Sequence, residues 1–165
     1  MPNLFLHRIQ LLCVMLVTGS FSPLVSAGAT HAPFHATISF SEEIVPTDSA
    51  PCFLVGTIEG TGVIPTLRHD SVALTSTDCI NPLPPTFTSY AFSSSNVVLT
   101  TSKGALWATY SGILSSNGVI TGTFVIYGGS DDFANASGSG TLLGFETIDP
   151  TGGTGQIKLK GTLSY

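Results

Sequence analysis

The chain has 165 residues, which is enough for one domain. Charged residues make up 9% of it, against about 25% in ordinary soluble domains, and 5 basic residues stand against 10 acidic ones. This composition excludes a coiled coil, a helical bundle and a basic nucleic-acid-binding protein. The 42% hydrophobic content argues against disorder, and the many Thr and Gly residues favour an all-β fold.

The first 27 residues have the pattern of a secretory signal peptide. Arg8 supplies a positive charge, residues 11–17 form an apolar run, and residues 25–27 offer a cleavage site. The run is shorter than the roughly 20 residues that span a bilayer, and no transmembrane segment follows it. An uncleaved membrane anchor is the alternative. We predict a secreted protein, extracellular or periplasmic, with a mature domain of residues 28–165.

Two cysteines, Cys52 and Cys79, belong to the predicted mature domain. An even pair in an exported chain predicts one disulfide. Its closure would stabilise the fold by roughly 3.6 kcal/mol on the chain-entropy model. A metal site would need more ligands at closer spacing, and a nucleophilic cysteine would need a base.

Short strands separated by Gly and Pro turns follow one another in the mature domain. The first covers residues 35–45, where Ile38 and Phe40 share an apolar face. Further strands are predicted at 53–60, 71–75, 86–92, 96–101, 105–114, 119–127 and 141–148, with a proline-rich loop at 81–85 and a hairpin turn at Asn117-Gly118. In the final strand Ile157, Leu159 and Leu163 face one way while Lys158 and Lys160 face the other.

About eight strands at regular spacing predict an antiparallel β-barrel, with a β-sandwich as the alternative. A repeated Gly-Thr-apolar pattern begins at Gly122, Gly140 and Gly161. Glycine inside a strand often marks a bend where a barrel wall curves. The same matches also arise by chance in a chain rich in Thr and Gly.

Residues 122–144 read GTFVIYGGSDDFANASGSGTLLG, and residues 152–165 read GGTGQIKLKGTLSY. Over residues 118–165 the chain resembles allene oxide cyclase-like and dirigent-like barrels, a group with small exported bacterial members. The resemblance implies an eight-stranded antiparallel barrel with a central cavity. It departs from the family pattern at Ser130-Asp131-Asp132, where Asp131 can still occupy a turn position. It assigns no active-site residue.

Two glutamates are candidate catalytic residues. Glu42 alternates with Ile38 and Phe40, so it could face the barrel interior, and Glu59 falls on one face with Val55. A buried carboxyl has a raised pKa and can act as a general acid or base. The alternative is a bulge that returns either side chain to solvent.

Three aromatic residues, Trp107, Tyr110 and Tyr127, are candidates for lining a ligand cavity, with plain core packing as the alternative. Residues 68–70 (Arg-His-Asp) could hold an anion but fit a solvated turn better. Asp131-Asp132 has too few oxygen ligands for calcium, and Asn135 begins a glycosylation sequon only in a eukaryotic host. No metal site and no cofactor are predicted.

Three functions remain open from the sequence. A secreted barrel that binds a small apolar ligand is the first. A cyclase or isomerase that shields a lipid-derived substrate is the second. A cell-surface or extracellular structural or adhesive protein is the third; a membrane-spanning barrel fits poorly, because residues 119–127 carry apolar side chains on both faces. The oligomeric state is left open.

Overall fold

The computed structural model describes residues 31–48, 50–68, 70–149 and 151–165. The predicted signal peptide, residues 1–27, lies outside the described residues, as does His69. The strands are β1 (His31–Pro46), β2 (Leu54–Ile64), β3 (Asp70–Pro82), β4 (Tyr90–Thr101), β5 (Gly104–Leu114), β6 (Val119–Gly129), β7 (Ser137–Asp149) and β8 (Gly152–Ser164). They form a closed barrel in which each strand pairs antiparallel with its chain neighbours and β1 pairs with β8. The predicted barrel is confirmed over the sandwich.

The largest differences from the sequence prediction concern β4 and β3, while β2 also continues past residue 60 to Ile64 and β7 begins at Ser137. The predicted strands at 86–92 and 96–101 are one strand, β4, whose pairing register with β5 shifts between Ser94 and Val97. The predicted strand at 71–75 continues to Pro82 as β3. Its inward positions 76 and 78 hold Ser and Asp rather than apolar residues, so the hydrophobic alternation stops before the strand does.

Aromatic side chains close one end of the barrel. Phe34 and Phe124 pack with ring centroids 5.7 Å apart, and both are buried. Phe133 lies in a short 3-10 helix (Asp131–Phe133) between β6 and β7 and is fully buried. Its ring packs against that of Tyr165, with the two ring centroids 5.2 Å apart. These packed rings fill the interior at this end, whereas a pocket lies toward the opposite end, where β1 joins β2 and β7 joins β8.

The repeated Gly-Thr pattern has a packing role. Gly140 of β7 pairs with Gly161 of β8, and a Cβ atom at Gly140 would lie 2.7 Å from Cε1 of Phe124. The absence of a side chain there makes room for the buried ring.

The predicted turn at residue 118 is confirmed as well, since Gly118 has a φ of 80°.

The predicted disulfide between Cys52 and Cys79 is confirmed. It joins the segment before β2 to β3, with the two Cα atoms 5.1 Å apart. The adjoining residues Leu54 and Ile80 lie at the open end of the barrel. The bond therefore fixes the wall around that opening.

No helix in the described part of the chain is long and apolar enough to cross a membrane.

Replacing both cysteines, as Cys52→Ser with Cys79→Ser, should lower the free energy of unfolding by roughly 3.6 kcal/mol, because the unfolded chain regains the entropy of an open loop. Denaturant unfolding followed by circular dichroism measures the difference. A reducing agent should destabilise the natural chain and leave the double variant unchanged. Equal stability of the two proteins would show that the bond does not constrain the unfolded chain.

Candidate functional site

A pocket with a volume of about 300 Å³ occupies the open end of the barrel. All eight strands contribute to its lining. Most of the lining is apolar and includes Ile44, Leu54, Ile80, Phe92, Leu114, Ile120, Leu142, Ile148 and Ile157. The ionisable lining residues are three acids inside the pocket (Glu42, Asp78 and Glu146), Asp149 at its rim, and Tyr90 and Tyr110. No described Lys, Arg or His lines it. An apolar wall with a few converging polar groups is typical of a small-molecule site.

Glu42 of β1 and Glu146 of β7 form a carboxyl pair. Their side chains are hydrogen-bonded to each other although β8 runs between the two strands. Gly153 of β8 makes this contact feasible, because a Cβ atom there would overlap the Glu146 carboxyl. Gly56 of β2 leaves space for the Glu42 carboxyl in the same way. Two glycines thus clear the volume that the pair occupies.

Asp78 belongs to a separate hydrogen-bonded cluster. Its side chain is 4% exposed and accepts hydrogen bonds from the Tyr110 hydroxyl and, at 2.8 Å, from Ser76 Oγ. Ser76 Oγ also lies 2.9 Å from Ser94 Oγ. Asp78 therefore has the hydrogen-bond donors that a buried carboxylate needs.

The Glu146 carboxyl has fewer hydrogen-bond donors around it than that of Asp78. Its side chain is 7% exposed, and its Oε1 atom is buried. No hydroxyl, amide or basic group of the described residues donates a hydrogen bond to this atom. The neighbouring donor is the carboxyl of Glu42, when that carboxyl carries a proton. A bound molecule with a polar hydrogen would be another.

Burial raises the pKa values of the acids. Burial first, then the neighbouring charge of Glu146, raises the pKa of Glu42 from 4.5 to about 9. Burial raises the pKa of Asp78 to about 6, against the opposing effect of the hydrogen bonds from Tyr110 and Ser76. Burial also raises the pKa of Glu146 and that of the Tyr110 hydroxyl. These raised pKa values favour one proton held by the pair of Glu42 and Glu146 at neutral pH.

The structure brings two of the five predicted catalytic and ligand-binding residues together. Glu42 and Tyr110 both line the pocket. Glu59, Trp107 and Tyr127 instead lie on the outer surface, with Trp107 41% and Tyr127 56% exposed. Strand alternation is the reason, because the neighbours of these three residues, Ile58, Leu106, Ala108 and Ile126, are the buried ones. The interior positions expected for the three residues are therefore wrong.

The sequence analysis missed Asp78 and Glu146. Glu146 alternates with Leu142 in a strand that was predicted, so its inward position was readable. Asp78 alternates with Val72 and Leu74, but the strand was predicted to end at residue 75. In both cases the signal is a polar residue at an inward position. Such a residue interrupts the apolar alternation, so it can be mistaken for the end of the strand.

The remaining polar motifs are turns. Arg68 is exposed in the left-handed conformation with φ 63°, directly before β3. Asp131 has φ 53° and accepts a hydrogen bond from Ser130 Oγ at 2.9 Å, so the predicted turn position is confirmed. Within the described ranges, no three His, Cys, Asp or Glu side chains are arranged to hold a metal ion.

The barrel is similar to a known structure, that of a pterocarpan synthase dirigent protein. The two share 16% sequence identity with a TM-score of 0.54, over 91% of this chain and 98% of that one. At this identity the likeness concerns the fold, and it supports the predicted dirigent-type barrel. No protein-family model matches the chain, and no curated protein matches it.

The stability of the protein should fall as pH rises from about 4.5 to about 9, and above about pH 6 the fall should come mainly from Glu42. Folding keeps Glu42 protonated between its ordinary pKa of 4.5 and about 9, so the native state binds more protons than the unfolded state there, and raising the pH favours unfolding. Asp78 acts in the same sense only up to about pH 6. Glu42→Gln should flatten the decline above that pH, whereas Glu43→Gln, on the exposed outer face, should not. Urea unfolding across this pH range measures the slopes, and equal slopes in the two variants would contradict a raised pKa for the half-buried Glu42.

Gly153→Ala should displace the Glu146 carboxyl without breaking the barrel. The new Cβ would meet only side-chain atoms of Glu146, which can move. The pKa of Glu42 should then fall, because it loses its charged and hydrogen-bonded neighbour. Carboxyl titration by NMR reports this pKa. Gly152→Ala is the contrast, because its Cβ would overlap the backbone carbonyl of Glu42 and should destabilise the fold. An unchanged Glu42 pKa in Gly153→Ala would contradict the role given to Gly153.

Proposed function

We propose that this protein is an exported barrel that binds one small, mostly apolar molecule in the pocket at its open end. The observation that carries the proposal is the pocket itself, about 300 Å³ of space between apolar walls and a floor of acids. Eight-stranded barrels of this size can hold one small ligand. Apolar walls supply affinity by burying the body of the ligand, and the few polar groups orient it.

The two ends of the barrel explain why space exists at one of them only. Phe34, Phe124 and Phe133 fill the closed end with rings, whereas Gly56 and Gly153 stand at inward positions of the open end. The space left by the glycines is taken by carboxyl groups rather than by apolar side chains. A barrel optimised for stability alone would fill this volume with apolar atoms, since unfilled core space is costly.

Export is supported by the disulfide between Cys52 and Cys79, because such bonds persist in oxidising compartments. The fold likeness to a dirigent protein is compatible with a ligand-binding role. A closer relation to allene oxide cyclases stays a prediction, as do the signal peptide and its cleavage after residue 27.

An enzyme is the second candidate, a cyclase or isomerase acting on a lipid-derived substrate. The observation that favours it is the position of Glu42 in the pocket, where burial and the neighbouring Glu146 raise the pKa of its carboxyl. Such a group can donate a proton to a bound substrate as a general acid. Glu42→Gln would then abolish turnover while substrate binding persists, and unchanged turnover would remove Glu42 from the mechanism.

Binding of octan-1-ol, measured by isothermal titration calorimetry, tests the first proposal. Ile44 lines the pocket, so Ile44→Trp should fill it and reduce the affinity by roughly tenfold or more. The adjacent Val45 is 47% exposed on the outer face, so Val45→Trp should bind octan-1-ol as the natural chain does. If the natural chain binds neither octan-1-ol nor any component of a lipid extract, the proposal fails and a structural or adhesive role becomes the better account.

A further inference from the structure

The pocket combines buried acids with no basic partner. Its ionisable groups are Glu42 from β1, Asp78 from β3, Tyr90 from β4, Tyr110 from β5, and Glu146 with Asp149 from β7, while β2, β6 and β8 contribute none. None of these groups can carry a positive charge. A buried carboxylate normally has a cationic or hydrogen-bonding partner, because an unpaired buried charge is costly. No such cation is found among the described lining residues.

The acids differ in the hydrogen bonds that their carboxyl oxygens accept. Asp78 already accepts hydrogen bonds from Tyr110 and Ser76. Asp149, at the rim, accepts hydrogen bonds from the backbone N–H groups of Thr151 and Gly152 at 2.8 and 3.0 Å. Glu146, in contrast, is 7% exposed, with a buried Oε1 that receives no hydrogen bond from a described hydroxyl, amide or basic group. Among the described residues, the buried side-chain oxygen that lacks a donor is therefore Glu146 Oε1, beside the carboxyl of Glu42.

We propose that the ligand of this pocket is an organic primary amine, whose ammonium group is held between Glu42 and Glu146 and whose apolar body fills the space toward the mouth. The inference rests on the proposed ligand-binding function and names the class of ligand. A primary ammonium has three N–H donors, enough to serve both carboxyls at once. It also supplies the positive charge that the lining lacks.

An ammonium fits this site better than the other cations available. A metal ion would need several oxygen ligands around one point, and no described group of three such side chains offers that arrangement. A quaternary ammonium has no N–H to donate to Glu146 Oε1. The apolar walls formed by Leu114, Ile120 and Leu142 further require that the charge be carried on a hydrophobic body.

Binding of an amine should release a proton. In the empty pocket the two carboxyls share one, because like charges this close cannot both ionise cheaply. An ammonium between them offsets the second negative charge, so the Glu42 carboxyl loses its proton to solvent and both carboxylates accept N–H hydrogen bonds. Affinity for the amine should therefore rise with pH below the pKa of Glu42, by up to about tenfold per pH unit for one proton released.

Octylamine and octan-1-ol form a matched pair of probes for this inference. Their alkyl chains are equally long, so the probes differ only in the polar group. The ammonium group of octylamine resembles that of lysine, whose pKa is about 10.4. Octylamine therefore stays positively charged from about pH 6 to about pH 8. Calorimetry of the natural protein, with EDTA present, should give a Kd for octylamine at least about tenfold lower than that for octan-1-ol at about pH 8. The preference should shrink toward about pH 6. Repeating the titration in two buffers of different ionisation enthalpy should reveal release of about one proton with octylamine and none with octan-1-ol.

Two variants test whether the preference for octylamine depends on the carboxyl pair in the pocket. Glu146→Gln removes one carboxylate at nearly constant volume and should bring the octylamine affinity close to that of octan-1-ol. Glu43→Gln, on the outer face, should keep the full preference. The comparison of the two probes on the natural protein does not depend on the folding of any variant.

The outcomes separate this inference from the function on which it rests. If octan-1-ol binds in the pocket as tightly as octylamine at every pH, the amine class is wrong and the binding function stands. If neither probe binds, the inference fails, and titration with a lipid extract then decides whether the proposed binding function fails with it. If Glu43→Gln abolishes the preference as fully as Glu146→Gln does, the amine is attracted by general surface charge, and the pocket assignment is overturned.

Discussion

Closure of the barrel is the constraint on which the rest of the structure depends. With β1 paired to β8, every strand edge is satisfied, and every second side chain must face a confined interior. At one end the inward residues are rings such as Phe34 and Phe124, and they pack to fill it. At the other end the inward residues include Glu42, Asp78 and Glu146, which cannot pack in that way. The same geometric rule thus produces a core at one end and a pocket at the other.

The acids weaken the fold that holds them. Burial raises the pKa values of Glu42 and Asp78, so ionising either one in the native state costs free energy that the unfolded chain does not spend. The closed aromatic end and the bond between Cys52 and Cys79 offset this cost. Stabilising features at both ends of the barrel therefore support a site that costs stability, which is the usual relation between a scaffold and its functional site.

Much of the fold was predictable because alternation is a local signal. The final strand, with Ile157 and Leu159 inward and Lys158 outward, was readable residue by residue. Alternation alone does not say which face is inside when both faces carry apolar side chains, and Tyr127 was misjudged for that reason. The site was harder still. A polar residue at an inward position, such as Asp78, makes a strand look finished, so the pattern that defines the pocket also conceals it.

The pair of Glu42 and Glu146 could not be predicted from either strand alone. Their strands are not neighbours, since β8 lies between them, and the two carboxyls meet here because β8 leaves a gap between them. Gly153 provides that gap, and its meaning depends on the register that places it opposite Glu42. Register is a property of three strands together, fixed by closure of the whole barrel. The chemistry of this pocket is encoded as much by a missing side chain on β8 as by the carboxyls that meet across it.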